Sequence, residues 1–342
     1  MVPMSEIIHD LSDFRRQCQS LCSANAAALD LVRKRDAQLT KPPGSLGRLE
    51  AIVEWLAAWQ EKSAPQLDRV LVCVFAGNHG VTRQGVSPYP AEVTRQMVAN
   101  FAAGGAAINQ ICKAFGLELE VHELALDRPT EDFTLAPAMT SEECVEAINF
   151  GMRAVPPGLD LLCLGEMGIG NTTSAAAIYT ALYGGPAAQW SGRGTGLDDA
   201  GVAHKAAVID RAIALHRDHL GDPAEILRRF GGREVAALAG AILAARQNHV
   251  PVVLDGYVVT AAAAILHALD RTALDHCIAG HVSAEAVHGD VLQRLGKQPL
   301  LQLGMRLGEA SGAATAAGLV KAALACHQGM ATFAEAGVTD KE

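Results

Sequence analysis

Aromatic residues are scarce in this sequence: they make up 4% of its 342 residues, although half of the residues are hydrophobic. A chain of this length buries a large core. That core must therefore be built mainly from Ala, Val, Leu, Ile and Gly. Since small side chains let backbones approach one another, we expect closely packed helices.

The sequence also lacks a segment that predicts export or membrane insertion. Residues 1–14 are acidic, without the basic and apolar regions of a signal peptide. The longest apolar stretches, such as residues 256–266, are shorter than the roughly 20 residues that cross a bilayer. We therefore expect a cytoplasmic protein.

Runs of Lys and Arg interleaved with aromatic residues are absent, and the formal net charge is −9. Both features argue against nucleic acid as a partner. A phosphorylated small molecule would have to be held locally, by main-chain amides and a few cations, against the overall negative charge.

Sequence patterns typical of disulfides or metal sites are missing as well. The eight cysteines are scattered, and the closest pair, Cys18 and Cys22, has the spacing of neighbours on one helix face. We expect reduced, buried thiols, as in cytosolic proteins. His79, His281 and His288 lack the spacing of known metal motifs, so no metal is expected.

The hydrophobic pattern predicts strands that alternate with Ala-rich helices. Short apolar runs of the kind found in parallel strands covered on both faces begin at Val70, Leu119, Leu159 and Val250. The alternation predicts an α/β fold with a doubly wound parallel sheet, whose ligands bind beyond the carboxyl ends of the strands.

Both ends of the chain predict helices. The segment up to about residue 40 is expected to form one amphipathic helix. Its apolar face would consist of Leu21, Ala24, Ala28 and Leu31. After a turn at residues 42–44, Ser45 is expected to cap the next helix, and the residues from Ala310 onward predict a buried helix.

A glycine-rich turn followed by a helix start comes directly after the third predicted strand. Its residues that could hold an anion are Gly168, Gly170, Asn171, Thr172 and Thr173. Free amides, hydroxyls and the positive end of a helix dipole favour a phosphate there, and an ordinary capped strand-to-helix turn is the alternative. Glu166 would repel a phosphate, so we expect it to face a cationic ring or a ribose hydroxyl.

A second glycine cluster at residues 191–199 contains Arg193 and Gly194, and Lys205 follows one helix later. Read alone, this cluster is as consistent with a plain loop. Together the two clusters predict a site for a nucleotide monophosphate, with Lys205 as a point charge on the phosphate. Ser283, in a loop that His281 and His288 are expected to order, is a further candidate ligand.

Glu309 follows a glycine at the mouth of the last predicted helix. The helix dipole favours a carboxylate at this position without any function. The functional alternative is a general base, with room for a flat ligand beside Gly308, Ser311 and Gly312.

Eight ordered motifs carry a resemblance to a known family. They are KPPGSLGRLE, AGNHGV, SPYPAEVTRQMV, FAAGGAAINQ, LGEMGIGNTT, GRGTGLDD, LDGYVVTAAAA and LGMRLGEASGAA. Over essentially its whole length, the chain resembles the nicotinate-nucleotide–dimethylbenzimidazole phosphoribosyltransferases of cobalamin nucleotide-loop assembly. The resemblance implies a homodimer whose subunit has a large Rossmann-like α/β domain, residues 61–309, and a small helical domain from residues 1–60 and 310–342.

The resemblance also implies roles for individual residues. Glu309 would be the general base, and Glu166 would lie in the active site. The residues expected to hold nicotinate mononucleotide are Gly168, Gly170, Asn171, Thr172, Thr173 and Lys205. Those expected to line the benzimidazole pocket are Ser87, Tyr89, Gln96, Met97 and Leu307. The chain departs from the family pattern at Asn78, often Asp, which puts a charged role there in doubt, and at Val287, often Gly, which predicts a stiffer loop.

The implied reaction transfers the phosphoribosyl group of nicotinate mononucleotide to 5,6-dimethylbenzimidazole, giving α-ribazole 5′-phosphate and nicotinate without a cofactor. A dinucleotide-dependent oxidoreductase is the first alternative, but it requires Gly-x-Gly-x-x-Gly after the first strand, where this chain has AGNHG. A non-catalytic nucleotide sensor is the second alternative.

Overall fold

The computed structural model describes residues 7–285 and 287–339, so the outermost residues of both predicted terminal segments lie outside it. Within these ranges six strands form one sheet. The strands are β1 Val70–Ala76, β2 Glu118–Glu123, β3 Leu161–Met167, β4 Val252–Leu254, β5 Cys277–His281 and β6 Pro299–Leu301. All neighbouring strands are parallel, and their order is β2-β1-β3-β4-β5-β6.

The described ranges contain fifteen α-helices around the sheet. The first eight are α1 Leu11–Cys18, α2 Ala26–Asp36, α3 Arg48–Gln60, α4 Glu92–Ala102, α5 Ala107–Phe115, α6 Ser141–Arg153, α7 Asn171–Tyr183 and α8 Ala187–Trp190. The others are α9 Asp199–His216, α10 Pro223–Phe230, α11 Arg233–Gln247, α12 Tyr257–Leu269, α13 His288–Arg294, α14 Ser311–Gly329 and α15 Phe333–Ala336.

The inner strand β1 has buried side chains on both faces of the sheet, since successive side chains point in opposite directions. Leu71 and Phe75 pack with α6, α7, α10, α11 and α12 on one face. Val72 and Val74 pack with α3, α5 and α14 on the other. The molecule thus has a sheet between two helical layers, and the predicted α/β class with a parallel sheet is confirmed.

The strand order places a switch point between β1 and β3. The chain leaves β1 toward β2 on one side of it, and continues from β3 toward β6 on the other side. Ligands of open α/β sheets bind in the crevice that opens beyond such a point. Here the Gly77 N–H, just after β1, donates to the Met167 C=O at the end of β3 over 3.0 Å.

Helices α6 and α11 approach each other through two glycines. A Cβ atom at Gly151 would overlap the carbonyl oxygen of Ala237, and one at Gly240 would overlap the carbonyl oxygen of Ile148. Neither helix could come this close with larger residues at these positions. The expectation of closely packed helices, drawn from the scarcity of aromatic residues, is confirmed here.

The four predicted strands exist, but the edge strands show where the prediction was incomplete. Strand β2 is only half-buried, so the expectation that it is covered on both faces is wrong; it lies at the sheet edge and carries Glu118, Glu120 and Glu123. Strands β5 and β6 were not predicted. β6 has three residues, and β5 contains Gly280 and His281, so neither shows a continuous apolar run.

The predicted single helix up to residue 40 is wrong, because the chain breaks between α1 and α2. The Asn25 side chain caps α2 by accepting the Ala28 N–H over 3.0 Å. The buried residues of α2 are Ala28 and Val32, whereas Leu31 is half exposed. An Asn that competes for main-chain amides starts a new helix here.

Two smaller local predictions are also corrected. Ser45 does not cap α3; Gly47, with φ +56°, precedes that helix, and no side chain caps it. Cys18 and Cys22 do not share a helix, because α1 ends at Cys18. All eight thiols are free, and six of them are buried.

The two ends of the described chain meet. Leu39 and Thr332 form an antiparallel bridge, and Arg35 Nε donates to the His327 C=O over 3.1 Å. The last long helix, α14, packs on α3 and also on β3, β4 and β5, so it belongs to one helical layer of the sheet. The division into domains at residues 60 and 310 stays a prediction. Every helix of the described ranges is too short or too polar to cross a membrane.

Candidate active site

A cavity of about 280 Å³ opens beyond the carboxyl ends of β3, β4 and β5. The predicted site residues that line it are Tyr89, Glu166, Gly168, Asn171, Thr172, Gly194, Ser283 and Leu307. Lining residues that were not predicted as site residues include Thr195, Tyr257, His281, Glu285, Arg306 and Gly308. Loops distant in sequence thus meet at a single cavity.

One side of the cavity has the features of an anion site. Helix α7 begins at Asn171, as predicted, directly after Gly170 with φ +94°. Lys205 lies in the first half of α9, which follows the glycine loop directly, so its predicted place one helix later is wrong. Its Nζ donates to Thr172 Oγ1 and to the Gly192 C=O, both over 3.1 Å.

Lys205 is buried, and both of these partners are neutral oxygens. Burial lowers its pKa to about 8, while the charge of Glu285 acts in the opposite direction. An ammonium group removed from water in this way gains free energy from an anion that can reach it. The arrangement therefore favours a phosphate beside Thr172 and Gly194.

Two carboxyl groups belong to the part of the site near Gly308: Glu166 lines the cavity, whereas Glu309 follows the lining residue Gly308 without lining the cavity itself. Glu166, in β3, is buried, and its Oε2 accepts a hydrogen bond from Asn171 Nδ2. Burial, followed by the charges of Asp255 and Glu234, raises the pKa of Glu166 to about 8. Burial and then Asp255 raise the pKa of Glu309 to about 7. Both groups can therefore exchange protons near neutral pH.

The main chain holds Glu309 in an unusual conformation. Three successive residues, Gly308, Glu309 and Ala310, have φ of +85°, +62° and +62°. The Glu309 N–H donates to the Glu166 C=O over 3.1 Å. Ala310 packs so closely against Gly165 of β3 that a Cβ atom at Gly165 would overlap Ala310. Positive φ at non-glycine residues costs about 1–3 kcal/mol each and clusters at functional sites.

Glu309 is also buried with its Oε2 lacking a hydrogen-bond partner among the described residues. A preference for the helix dipole requires neither this strain nor this open oxygen. The arrangement supports the alternative in which the carboxylate accepts a proton.

Asp255 and His281 were not predicted as site residues. Asp255 directly follows strand β4, and His281 is the last residue of β5. Asp255 Oδ1 accepts the N–H groups of Gly312 and Ala313 over 2.8 and 2.9 Å, which caps α14 next to Glu309. His281 Nε2 lies 3.5 Å from the same oxygen. The position of Asp255, directly after the buried strand β4, was the signal that could have identified it.

The expected benzimidazole residues divide into two groups. Tyr89 and Leu307 stand at the cavity with 52% and 57% of their surface exposed, and Ser87 Oγ lies 3.1 Å from Thr195 Oγ1. Gln96 and Met97 lie on α4 and do not line the cavity; Met97 packs against the core instead.

Two expected nucleotide residues also point elsewhere. The Arg193 guanidinium pairs with Asp199 Oδ1 over 2.5 Å and donates to the Leu197 C=O, so it stabilises its own loop. Thr173 is fully buried beneath the cavity-lining Thr172. The structure therefore does not bring either side chain to the cavity.

The residues that depart from the family pattern have structural partners. Asn78 Nδ2 donates to the Leu126 C=O over 2.9 Å, so the position holds a neutral, buried amide. Val287 has φ +53°. The Ser283 N–H donates to His288 Nδ1 over 2.8 Å, which confirms that a histidine orders this loop.

Among the residues that the structure describes, the one cluster with metal-ligating geometry lies away from the cavity. Within the described chain, Cys73, Glu120 and His122 place one ligand atom each within 4.8 Å of the others. They lie on β1 and β2, and none of them lines the cavity. Burial raises the pKa of the Cys73 thiol, which disfavours the thiolate that a metal needs.

Comparison with known proteins decides the family. A phosphoribosyltransferase family profile matches residues 22–338. The nicotinate-nucleotide–dimethylbenzimidazole phosphoribosyltransferase of Methylocella silvestris is 62% identical over 331 residues, which are 97% of each chain. The protein of that name from Rhizobium meliloti is 62% identical over 330 residues, 96% of this chain and 97% of the relative. The chain belongs to this family.

The family also accounts for the fold. A crystal structure of the nicotinate-nucleotide–dimethylbenzimidazole phosphoribosyltransferase from Thermus thermophilus is similar with a TM-score of 0.85 at 40% identity, covering 93% of this chain and all of that one. The resemblance drawn from the sequence motifs is confirmed, and the chain is a phosphoribosyltransferase of this family. The site residues of the family stay predictions for this chain.

Proposed function

We propose that this protein transfers the phosphoribosyl group of nicotinate mononucleotide to 5,6-dimethylbenzimidazole, with Glu309 as general base. The observation that carries the proposal is the meeting of two features at one cavity. Thr172 and Gly194, next to Lys205, line the same cavity as Gly308, and Gly308 is followed by the strained, buried Glu309, whose Oε2 has no hydrogen-bond partner among the described residues. The names of the family members supply the two substrates.

The anion subsite would hold the 5′-phosphate of the nucleotide. Thr172 Oγ1 and Lys205 Nζ are 3.1 Å apart, and a Cβ atom at Gly194 would lie 3.2 Å from the same Nζ. Only a glycine leaves the main chain close enough to the ammonium group for one phosphate to reach both. Ser283 lies across the cavity as a further donor.

The substrates explain why the site offers bases rather than a strong acid. The pyridinium ring of the nucleotide is positively charged, so nicotinate leaves as a neutral ring when the C1′–N bond breaks. The ionised carboxylate of Glu309, whose pKa is about 7, suits the cationic ring and the charge that develops at C1′.

The benzimidazole attacks C1′ through its unprotonated nitrogen, and the electron pair of the old C1′–N bond returns to the pyridine nitrogen. As charge flows into the attacking ring, its other N–H becomes acidic, and Glu309 accepts that proton. A general base of this kind contributes about 10²- to 10⁴-fold, and holding both reactants in line contributes at least as much. Attack opposite the leaving group converts a β-linkage into an α-linkage.

We further propose that the protein works in the cytoplasm as a homodimer whose subunits combine a large domain, residues 61–309, with a small terminal domain. The bridge between Leu39 and Thr332 supports the association of the two ends of the chain. The net negative charge and the shortness of the apolar stretches support a cytoplasmic location.

The test is product analysis after the purified protein has been incubated with nicotinate mononucleotide and 5,6-dimethylbenzimidazole. We expect α-ribazole 5′-phosphate and one nicotinate per product, with the α and β ribosides resolved chromatographically. Unchanged substrates in a folded sample that binds the nucleotide would reject the proposal in favour of a nucleotide sensor.

A further inference from the structure

A carboxylate occupies part of the anion subsite. Glu285 Oε1 accepts a hydrogen bond from the Gly194 N–H over 2.9 Å. Gly194 has φ +51°, and its neighbours at the cavity are Thr172 and Lys205. The amide that a phosphate would use is therefore already bonded to an internal anion.

Glu285 is held firmly in this place. Its side chain is buried, and its own N–H donates to Ser283 Oγ over 3.1 Å. The preceding Ala284 N–H donates to the Met305 C=O over 2.8 Å. On the other face of the glycine loop, Arg306 Nη1 donates to the Gly194 C=O over 2.8 Å.

The position is chemically odd for a phosphate subsite, because two anions would then share one amide and repel each other. Yet the carboxylate stabilises the free protein: it accepts an amide that would otherwise lack a partner, and its charge partly compensates the buried Lys205. Both benefits are those that a phosphate would provide.

We propose that Glu285 is a specificity-determining residue. In the free protein its carboxylate occupies the place of the substrate phosphate, and the phosphate displaces this carboxylate on binding. This proposal rests on the proposed function, which makes the ligand a phosphate ester. Free inorganic phosphate gains only the contacts of the subsite, and so competes poorly with the carboxylate. A nucleotide gains further contacts through its ribose and ring, and so can displace it. The carboxylate thus keeps the phosphate that is abundant in cells from occupying the subsite, while the extra contacts of a nucleotide offset the loss of affinity.

The test is isothermal titration of inorganic phosphate and of nicotinate mononucleotide into the full-length protein and into Glu285→Gln and Glu285→Asp. Glutamine keeps the reach without the charge, and aspartate keeps the charge but is one methylene too short to reach Gly194. The control is Asp290→Asn, which removes an exposed carboxylate from the same segment. Thermal unfolding checks that each variant is folded.

We expect both Glu285 variants to bind inorganic phosphate and the nucleotide on the order of tenfold more tightly, because each ligand must displace the same charged hydrogen bond. The control should match the wild type. Tighter binding by the glutamine variant alone would mean that charge acts through space, and would overturn the displacement model. Equal or weaker phosphate binding by both variants would also overturn it.

The result separates this inference from the proposed function. A wild-type protein that forms product, together with Glu285 variants that gain nothing, contradicts only the role of Glu285. A folded wild-type protein that binds no nucleotide contradicts the proposed function, and the inference falls with it.

Discussion

Glu309 is buried, its pKa is raised, and its Oε2 has no hydrogen-bond partner in the described part of the chain, so its proposed role as a base can be tested directly. Glu309→Gln keeps the shape of the side chain but cannot accept the proton. We expect turnover to fall by about 10²- to 10⁴-fold while the affinity for nicotinate mononucleotide stays the same. Steady-state kinetics and calorimetry measure the two quantities.

The matched control is Glu131→Gln, a change of the same kind at an exposed residue away from the cavity. Turnover by Glu309→Gln equal to that of this control would remove the base from the mechanism.

The pH dependence of kcat/KM follows from two shifted groups. Glu309 must be ionised to accept a proton, so kcat/KM should rise with pH through about 7. Lys205 must be charged to bind phosphate, so kcat/KM should fall above about 8. Lys205→Arg keeps its charge to far higher pH, so this variant should retain the rise and lose the fall. An unmoved falling limb in the arginine variant would point to another group, such as Glu166.

The sequence predicted individual site residues better than it predicted the residues that contact them. Glu166, Thr172 and Glu309 stand out because each lies where a strand ends or a helix starts. The contact between Glu285 and Gly194 joins residues 91 positions apart, and no local pattern encodes it. Arg193 illustrates the opposite error, because its loop uses the guanidinium internally.

Among the elements, the pair formed by α6 and α11 has the tightest steric requirement. A Cβ atom at Gly240 would overlap the Ile148 carbonyl oxygen, and backbone atoms cannot rotate away. We expect Gly240→Ala to lower the free energy of unfolding by about 1–3 kcal/mol, the usual effect of overpacking. Denaturant titration followed by circular dichroism measures the change.

Gly329→Ala is the comparison, since it changes a helical glycine with open space around it. There the substitution should be neutral or stabilise by up to about 1 kcal/mol. Equal effects at the two positions would mean that the helices can separate without loss.

The elements that the sequence predicted are those with long, uniform patterns. β1 is seven apolar residues in a row, and α14 places small residues on one buried stripe. β6, with three residues, exists only because β5 offers it an edge for pairing, which is a tertiary effect. The break before α2 depends on one side-chain hydrogen bond from Asn25, and the apolar periodicity conceals it.

For the whole molecule, the buried carboxyl group of Glu166 links stability to pH. The folded protein holds this proton up to about pH 8, whereas the unfolded chain releases it near 4.5. The unfolded state is therefore favoured as the pH rises between these values, by at most about 1.4 kcal/mol per pH unit. We expect the wild type to lose stability relative to Glu166→Gln from pH 5 to pH 8.

Chemical unfolding of both proteins at several pH values measures this difference, and comparison with the variant cancels the contribution of buried histidines. A difference that stays constant with pH would show that Glu166 is ionised in the folded protein throughout the range.

The strained run from Gly308 to Ala310 affects how the site can adapt. Its conformation is fixed by the hydrogen bond to Glu166 and by the close packing of Ala310 against Gly165, not by the rotamer of Glu309. The main chain at Glu309 therefore moves only if β3 and α14 move, so it cannot shift to follow a misplaced acceptor base. Tolerance for acceptors of different size must come from the exposed rim at Tyr89 and Leu307, which can yield without disturbing the sheet.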